Sequence, residues 1–386
     1  MKSETIEKSQ VLGKLRVAIV HEWFVNFAGS ERVVEQMLEV FPNADVFSLV
    51  DFLPDSNNFF LKGKKPKTTF IQNLPFAKKH FRNYFPWFPI AVEGHDLRAY
   101  DLILSSSHMV SKGVIINQEQ LHICYCHSPC RYAWDLYHQY LEEAGLKSGF
   151  KGFIAQFFLN KLRIWDQIST QRVHHFIANS KYIAKRISHV YNRISEVVYP
   201  PVDVQKFTYV EEKDDYFFAA SRLVPYKKMD LIAEAFGLMP DKKLIIVGSG
   251  PDDSKLKKYN FPNVELRKEA DAGEFLKLIS RAKAFVFAAE EDFGITIAEA
   301  QACGTPVIAF GKGGASDIVK DGTTGVLFWQ QTTESLISAI NRFETIQTQL
   351  FPKEISLNAQ RFSNYAFREQ LVQTIFLKWK EFKNLD

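Results

Sequence analysis

Residues 284–319 read AFVFAAEEDFGITIAEAQACGTPVIAFGKGGASDIV. Residues 284–289 form a short apolar run, which predicts a buried strand. Glu290, Glu291 and Asp292 end it, because three acids cannot continue a core strand. Phe293 and Gly294 then make a tight turn. Ile297, Ala298, Ala300, Gln301 and Ala302 follow at helical spacing, and Gly304 closes that helix. Residues 306–310 are the next strand, followed by a glycine-rich turn at 311–314 and a new helix. The unit is therefore strand, loop, helix, strand. In such a unit the loop and the helix N-terminus lie at the carboxyl edge of a parallel sheet, where ligands bind. Free backbone N–H groups and the positive end of the helix dipole suit an anion there, typically a phosphate. Glu291 stands at the strand's end and Glu299 eight residues further on, inside the helix.

The alternation extends to both sides. Strands are predicted at 217–221, 243–247 and 264–268, with helices from Met229 and over 272–281. Residues 222–228 form a loop after the first of these strands, and Gly248-Ser249-Gly250 a turn after the second. Beyond Gly325 the pattern predicts helix to the end, with Leu371, Ile375, Phe376 and Trp379 on one apolar face. In the first half, strands are predicted at 15–20, 46–50, 100–105, 121–125, 173–178 and 196–199. A helix is expected from Glu31 with Ser30 as its N-cap, and another after the Asn179-Ser180 cap. Pro200-Pro201 breaks regular structure, since a residue before proline avoids the helical region. The fold class is α/β, as two doubly wound Rossmann-like domains facing a cleft. Their bounds are 1–205 and 206–360, with a last helix, 361–386, crossing back to the first domain.

A chain of 386 residues is long enough for two cores. Its 46% hydrophobic and 24% charged content describes a water-soluble globular protein, expected in the cytoplasm. The net charge of +4 does not imply nucleic acid. No run of eighteen apolar residues predicts a transmembrane helix, and the polar first ten residues do not read as a secretory signal. The four cysteines, Cys124, Cys126, Cys130 and Cys303, suggest reduced thiols. The spacing of Cys124, Cys126 and Cys130 is not a usual zinc pattern, and the strand reading splits His122 and its neighbours between two faces.

The stretch EDFGITIAEAQACGTPVIA closely resembles the signature of a large family of retaining glycosyltransferases with two Rossmann-like domains. This is the GT-B fold, glycosyltransferase group 1 or family 4. Family members usually have Gly where this chain has Asp292. Further segments resemble the same family. Ala28-Gly29-Ser30-Glu31-Arg32 is similar to its Gly-Gly-Ala-Glu-Arg loop. Residues 127–135 are similar to the His-Thr-Pro-x-Arg-Tyr-x-Trp-Asp segment of a bacterial branch that builds surface polysaccharides. Arg222 and Lys227 match an Arg-Leu-x-x-x-Lys pattern.

The resemblance implies roles residue by residue. Glu291 and His127 would contact the donor sugar near the reaction centre. The backbone of Phe293, Gly294, Ile295 and Thr296 would meet sugar and phosphates, and Glu299 the ribose hydroxyls. Arg222 and Lys227 would clamp the diphosphate, with Lys228 able to share that role. Gly29 and Gly248 would let backbone approach the donor. The implied reaction moves a hexose from a nucleoside-diphosphate sugar to an acceptor hydroxyl with retention of configuration. Two cations stabilise the charge that the leaving diphosphate gains, so no metal or other cofactor is expected. UDP-sugars such as UDP-glucose are favoured over GDP-mannose because they serve more of the family. A sugar phosphorylase of the same fold would need a lysine for pyridoxal phosphate, for which no context is seen. A non-catalytic sugar-nucleotide or membrane-surface binding protein is the alternative from another class. An NAD-linked enzyme is disfavoured, because no Gly-x-Gly-x-x-Gly follows the first strand.

Two segments carry a separate signal. Residues 56–92 contain no acid, while Lys62, Lys64, Lys65, Lys67, Lys78, Lys79 and Arg82 alternate with aromatic residues. Residues 145–165 repeat that character with Lys147, Lys151, Lys161 and Arg163 among Phe150, Phe153, Phe157 and Phe158. Three readings compete: a solvated face, a nucleic-acid surface, and an anionic membrane surface, where aromatic anchors act together with lysines. The last is favoured, and nucleic acid least. It leads to the expectation of a saccharide or lipid-linked acceptor and of peripheral contact through 62–88 and 147–165, at the inner face of the cytoplasmic membrane. His108, His122, His174 and His175 have no motif around them and read as structural.

Overall fold

The computed structural model describes residues 11–384. They divide into two compact units, one of residues up to 200 together with those from 367 onward, the other of residues 201–366. The strands, in chain order, are β1 (Val17–His21), β2 (Asp45–Ser48), β3 (Lys67–Thr68), β4 (Leu102–Ser107), β5 (Leu121–Cys126), β6 (His175–Ala178) and β7 (Ser195–Val197). They continue with β8 (Phe217–Ala220), β9 (Leu244–Val247), β10 (Val264–Arg267), β11 (Ala284–Phe287), β12 (Val307–Phe310) and β13 (Gly325–Phe328).

The first unit holds a parallel sheet in the order β3-β2-β1-β4-β5-β6-β7. Its central strands β1, β4 and β5 are buried at every position, without alternation, because both faces are covered. Val17, Ile19, Leu102 and Leu104 point into one core, and Ala18, Val20 and Ile103 into the other. The helix Gly29–Val40 packs on the first face through Val33, Val34, Met37 and Leu38. The C-terminal helix Asn364–Phe382 puts Phe367, Leu371, Ile375, Phe376 and Trp379 into that same core. The other face carries Phe81, Phe88 and Leu162, the last from the helix Gly149–Ser169.

The second unit is a parallel sheet in the order β10-β9-β8-β11-β12-β13. Phe217, Ala219, Leu244, Ile246, Ala284, Val286, Ile308 and Phe310 line one face, against Ile232, Phe236, Leu336, Ile340 and Phe343 from the helices Met229–Gly237 and Thr333–Ile346. Phe218 turns to the opposite face, where its ring meets Phe275 and Phe285. Both sheets reverse strand order beside their first strand, β1 in one unit and β8 in the other, which opens the carboxyl edge at a topological switch point.

Three local expectations change. Residues 325–328 are a strand, not the start of a helix. Four apolar residues are too few to show a period, and Gly325 lets β13 lie against β12, since a Cβ there would sit 2.0 Å from the Val307 carbonyl oxygen. The first helix begins at Gly29 with Ala28 as its N-cap, and Ser30 lies inside it. Glu31 does the capping by accepting the Ala28 N–H at 3.0 Å. The two-residue edge strand β3 is too short for periodicity to reveal.

Candidate functional site

Each unit gathers polar side chains at the carboxyl ends of its strands. In the second unit the loop after β8 carries Arg222 and Lys227, and the loop after β11 carries Glu291. The Lys227 ammonium pairs with the Glu291 carboxylate and stands near the rings of Tyr226 (5.4 Å) and Phe287 (5.8 Å). Sixty-four positions of sequence separate two groups that the fold places in direct contact. Arg222 is exposed, and among the described residues its guanidinium has no ion-pair partner. Lys228 sits in the left-handed region (φ 55°), between the turn Pro225–Lys227 and the helix that follows.

The loops are held by backbone rather than by side chains. The Leu223 N–H donates to the Ser249 carbonyl at 2.9 Å, and a Cβ at Gly248 would lie 2.0 Å from the Ser221 carbonyl oxygen. Gly248 thus lets the turn after β9 press against the loop that carries Arg222. Glu291 forms a parallel bridge with Gly313, and the Gly314 N–H donates to the Glu291 carbonyl at 2.8 Å. Gly294, at φ 95°, is the N-cap of the helix Ile295–Ala302. The first amides of that helix, at Ile295 and Thr296, have no carbonyl one turn back within it to bond. Phe293 is buried with its ring on Phe362. Glu299 is buried inside the helix.

In the first unit Gly29 opens the first helix, and His127 follows β5, where its N–H donates to the Ser107 carbonyl at 2.8 Å. His127 is partly exposed, and its Nε2 lies 2.8 Å from Ser106 Oγ. Ser106 Oγ also lies 3.1 Å from Nδ1 of His21, whose Nε2 is 3.3 Å from Glu31 Oε1. Burial, then the neighbouring His108 and His21, pushes the His127 pKa well below its ordinary value, so the ring is neutral near pH 7. Burial opposes ionisation of Glu31, but hydrogen bonding to His21 and its charge outweigh this and hold the carboxyl below its usual range.

Next to this chain Glu22 is buried and accepts from the backbone N–H groups of His108, Met109, Val110 and Ser111 and from the hydroxyls of Ser107 and Ser111. His108 therefore belongs to the surroundings of His127, its ring 6.4 Å from that of His127. His122 is satisfied within the sheet by Ser105 Oγ and the Arg172 carbonyl, and burial lowers its pKa to about 3. Sequence reasoning missed His21, Glu22, Glu31 and Ser106 as parts of this cluster. Their signal was positional: polar residues at the carboxyl ends of two buried strands and the start of a helix. The four cysteines are free and buried. Among the described residues no three His, Cys, Asp or Glu side chains are gathered so as to hold a metal ion.

Residues 203–366 match the family Glycosyl transferases group 1. A D-inositol 3-phosphate glycosyltransferase of Mycobacterium sp. (strain KMS) is 30% identical over 210 residues, which are 45% of this chain and 47% of that protein. The chain thus spans about half the length of the curated relatives it matches. Among solved structures, sucrose-phosphate synthase from Thermosynechococcus elongatus superimposes with a TM-score of 0.72 at 18% identity, covering 95% of this chain and 100% of that one. Anabaena HepE in complex with UDP gives 0.66 at 18% identity over 93% and 99%. At such identity the structural likeness establishes the fold, two parallel-sheet α/β domains of GT-B type.

Proposed function

We propose that this chain is a hexosyltransferase that moves a sugar from a nucleoside-diphosphate donor to a saccharide hydroxyl with retention of configuration. The observation that carries the reading is the Lys227–Glu291 pair at the strand ends of the unit that matches the glycosyl transferase family, with Arg222 exposed on the same loop as Lys227. Arg222 and Lys227 take up the charge of the departing diphosphate, so the leaving group needs no metal. Glu291 and His127 contact the transferred sugar, Glu299 the ribose, and the amides of residues 293–296 the phosphates. No side chain here is an evident nucleophile, and the departing phosphate serves as base for attack on the same face. A UDP-sugar such as UDP-glucose is the favoured donor, with GDP-mannose next.

Thermal melting with UDP, GDP, UDP-glucose and GDP-mannose, on the native chain and on Arg222→Ala, tests this reading. A ligand that binds only the folded state raises Tm, by about 2.7 kcal/mol of stabilisation at a hundredfold excess over Kd. A rise with UDP and UDP-glucose that is lost in the variant is expected. No rise with any of the four would overturn the donor assignment.

The acceptor is proposed to be lipid-linked, in polysaccharide synthesis at the inner face of the cytoplasmic membrane. Phe150, Phe153 and Phe157 recur on one exposed face of the helix Gly149–Ser169. The neighbouring segment exposes Phe70, Phe76 and Trp87, and the Phe85 and Phe158 rings, 6.4 Å apart, join the two. Lys78, Lys79, Arg82, Lys151 and Lys161 are exposed on the same acid-free segments. Cations around apolar anchors match an anionic lipid surface, each basic residue contributing about 1 kcal/mol. No helix among the described residues is long and apolar enough to cross a membrane. Phe76→Ser with Phe150→Ser and Phe153→Ser is expected to abolish flotation with vesicles containing anionic lipid. Unchanged flotation would remove the membrane contact.

A further inference from the structure

A hollow of about 490 Å³ opens in the first unit, with Trp134, Asp135, Tyr137, His138, Arg163 and His189 on its walls. Arg163 is fixed there on two sides. Its Nε–H donates to the Ala133 carbonyl at 2.7 Å, and its guanidinium lies 4.8 Å from the Tyr137 ring and 5.7 Å from the Trp134 ring. Trp134 is held in turn, since its Nε1–H donates at 2.7 Å to the fully buried Asp166 carboxylate. Among the described residues the two Nη groups of Arg163 have no hydrogen-bond or ion-pair partner. The acid on the walls, Asp135, is paired with Arg186 instead. A guanidinium held at Nε with both Nη groups open is a fork arranged for an oxyanion, and little side-chain freedom is left to lose on binding.

The same helix, Gly149–Ser169, bears on what carries the oxyanion. Phe150, Phe153, Phe157, Ile164 and Ile168 are exposed along it at helical spacing, so an apolar stripe runs nearly its whole length. Arg163 precedes Ile164 and so stands about 100° round the helix axis from it. The hollow therefore borders the stripe, and a molecule with an oxyanionic head and an apolar tail matches both. Phosphate is the head-group oxyanion that bilayer lipids and lipid-linked saccharides share. We infer that the hollow is a binding site for the phosphate of a lipid head group, gripped by the two Nη groups of Arg163, with the lipid tail along the stripe. His138 and His189 offer ring N–H groups to further phosphate oxygens. The lipid source of the phosphate rests on the membrane contact proposed above; the phosphate site itself does not.

Isothermal titration of the full chain, in buffer free of phosphate, tests this with three probes: inorganic diphosphate, dihexanoyl phosphatidic acid below its micelle concentration, and farnesyl diphosphate. All three are expected to bind, and at least one of the two amphiphiles more tightly than the inorganic ion. Tighter binding of phosphatidic acid supports a bilayer lipid as the source, and of farnesyl diphosphate a lipid-linked saccharide. Arg163→Gln is expected to weaken binding about tenfold or more, the usual effect of losing hydrogen bonds to a charged group. His189→Glu, at an exposed position, sets a carboxylate in the hollow and is expected to do the same even if Arg163→Gln fails to fold. No binding of any probe, or affinities unmoved in both variants, overturns the site. Amphiphiles that bind no more tightly than inorganic diphosphate overturn the lipid source. Vesicle flotation of the native chain keeps the two readings apart. A chain that floats but binds no probe has the membrane contact without this site. One that binds the probes but never floats supports the phosphate site and overturns its lipid source.

Discussion

Lys227→Ala is expected to lower kcat for sugar transfer by about 10²–10³-fold, the usual cost of removing one preorganised group that meets developing charge. Two losses combine. The leaving diphosphate loses a cation, and Glu291 loses the ion-pair partner that holds its carboxylate at the strand's end. Both side chains are largely shielded, with 15% of Lys227 and 22% of Glu291 exposed, so their charges are less screened than those of a surface pair. The fold should survive, because the loop is fixed by the backbone bonds of Leu223 and by the close approach at Gly248. Steady-state rates at saturating nucleotide sugar, with a melt on the same sample, measure the effect. A fall of under about threefold would take Lys227 out of the transition state.

Glu22→Gln is expected to destabilise the first unit by about 3–5 kcal/mol, which corresponds to a drop in Tm of roughly 10 °C for a unit of this size. Glu22 is fully buried and is the common acceptor for four consecutive backbone N–H groups and two hydroxyls. An amide has one oxygen for them, and its NH₂ faces donors. Burial opposes the charge of Glu22, but His108 and the backbone N–H groups of Val110, Met109 and Ser111 outweigh it and hold the pKa below the ordinary value. The pH dependence follows. The stabilisation is complete above the unfolded carboxylate pKa of about 4.3 and is lost as pH falls through the lower folded value. Melting from pH 7 down to pH 3 should therefore show the gap between native chain and variant narrowing once the pH falls below about 4.3. A constant gap across that range would mean that the ionised form of Glu22 contributes nothing.

The sheet strands were legible because a parallel sheet covered on both faces writes each strand as a short apolar run. Predicted and observed strands in the second unit differ by one or two residues at their ends, as in 243–247 against Leu244–Val247. Strand β13 escaped because GVLF is too short to distinguish strand from helix. The residues that the family resemblance singles out, Arg222, Lys227, Glu291 and Glu299, were legible as a motif, but their pairing was not. Which cation meets which acid depends on β8 lying beside β11, and spacing along the chain does not encode that neighbourhood. The side chains gathered behind His127 were harder still. His21 and Ser106 are 85 residues apart and meet only through the register of β1 with β4. Serine at the end of a strand looks the same in a sequence whether it bonds water or an imidazole.

The glycines at 313 and 314 bear on how a chain of this kind can diversify. A Cβ at Gly314 would lie 2.3 Å from the Phe293 Cα and 2.7 Å from the Asp292 carbonyl oxygen, and one at Gly313 would lie 2.3 Å from the Glu291 carbonyl oxygen. Main chain rests on main chain, so the course of residues 291–293 does not depend on what side chain position 292 carries. The loop is a fixed rail with one interchangeable fitting. Aspartate can stand there in place of the usual glycine without dragging Glu291 or Phe293 along. Descent can therefore alter the chemistry presented at that point in a single step, while the neighbouring geometry is inherited unchanged.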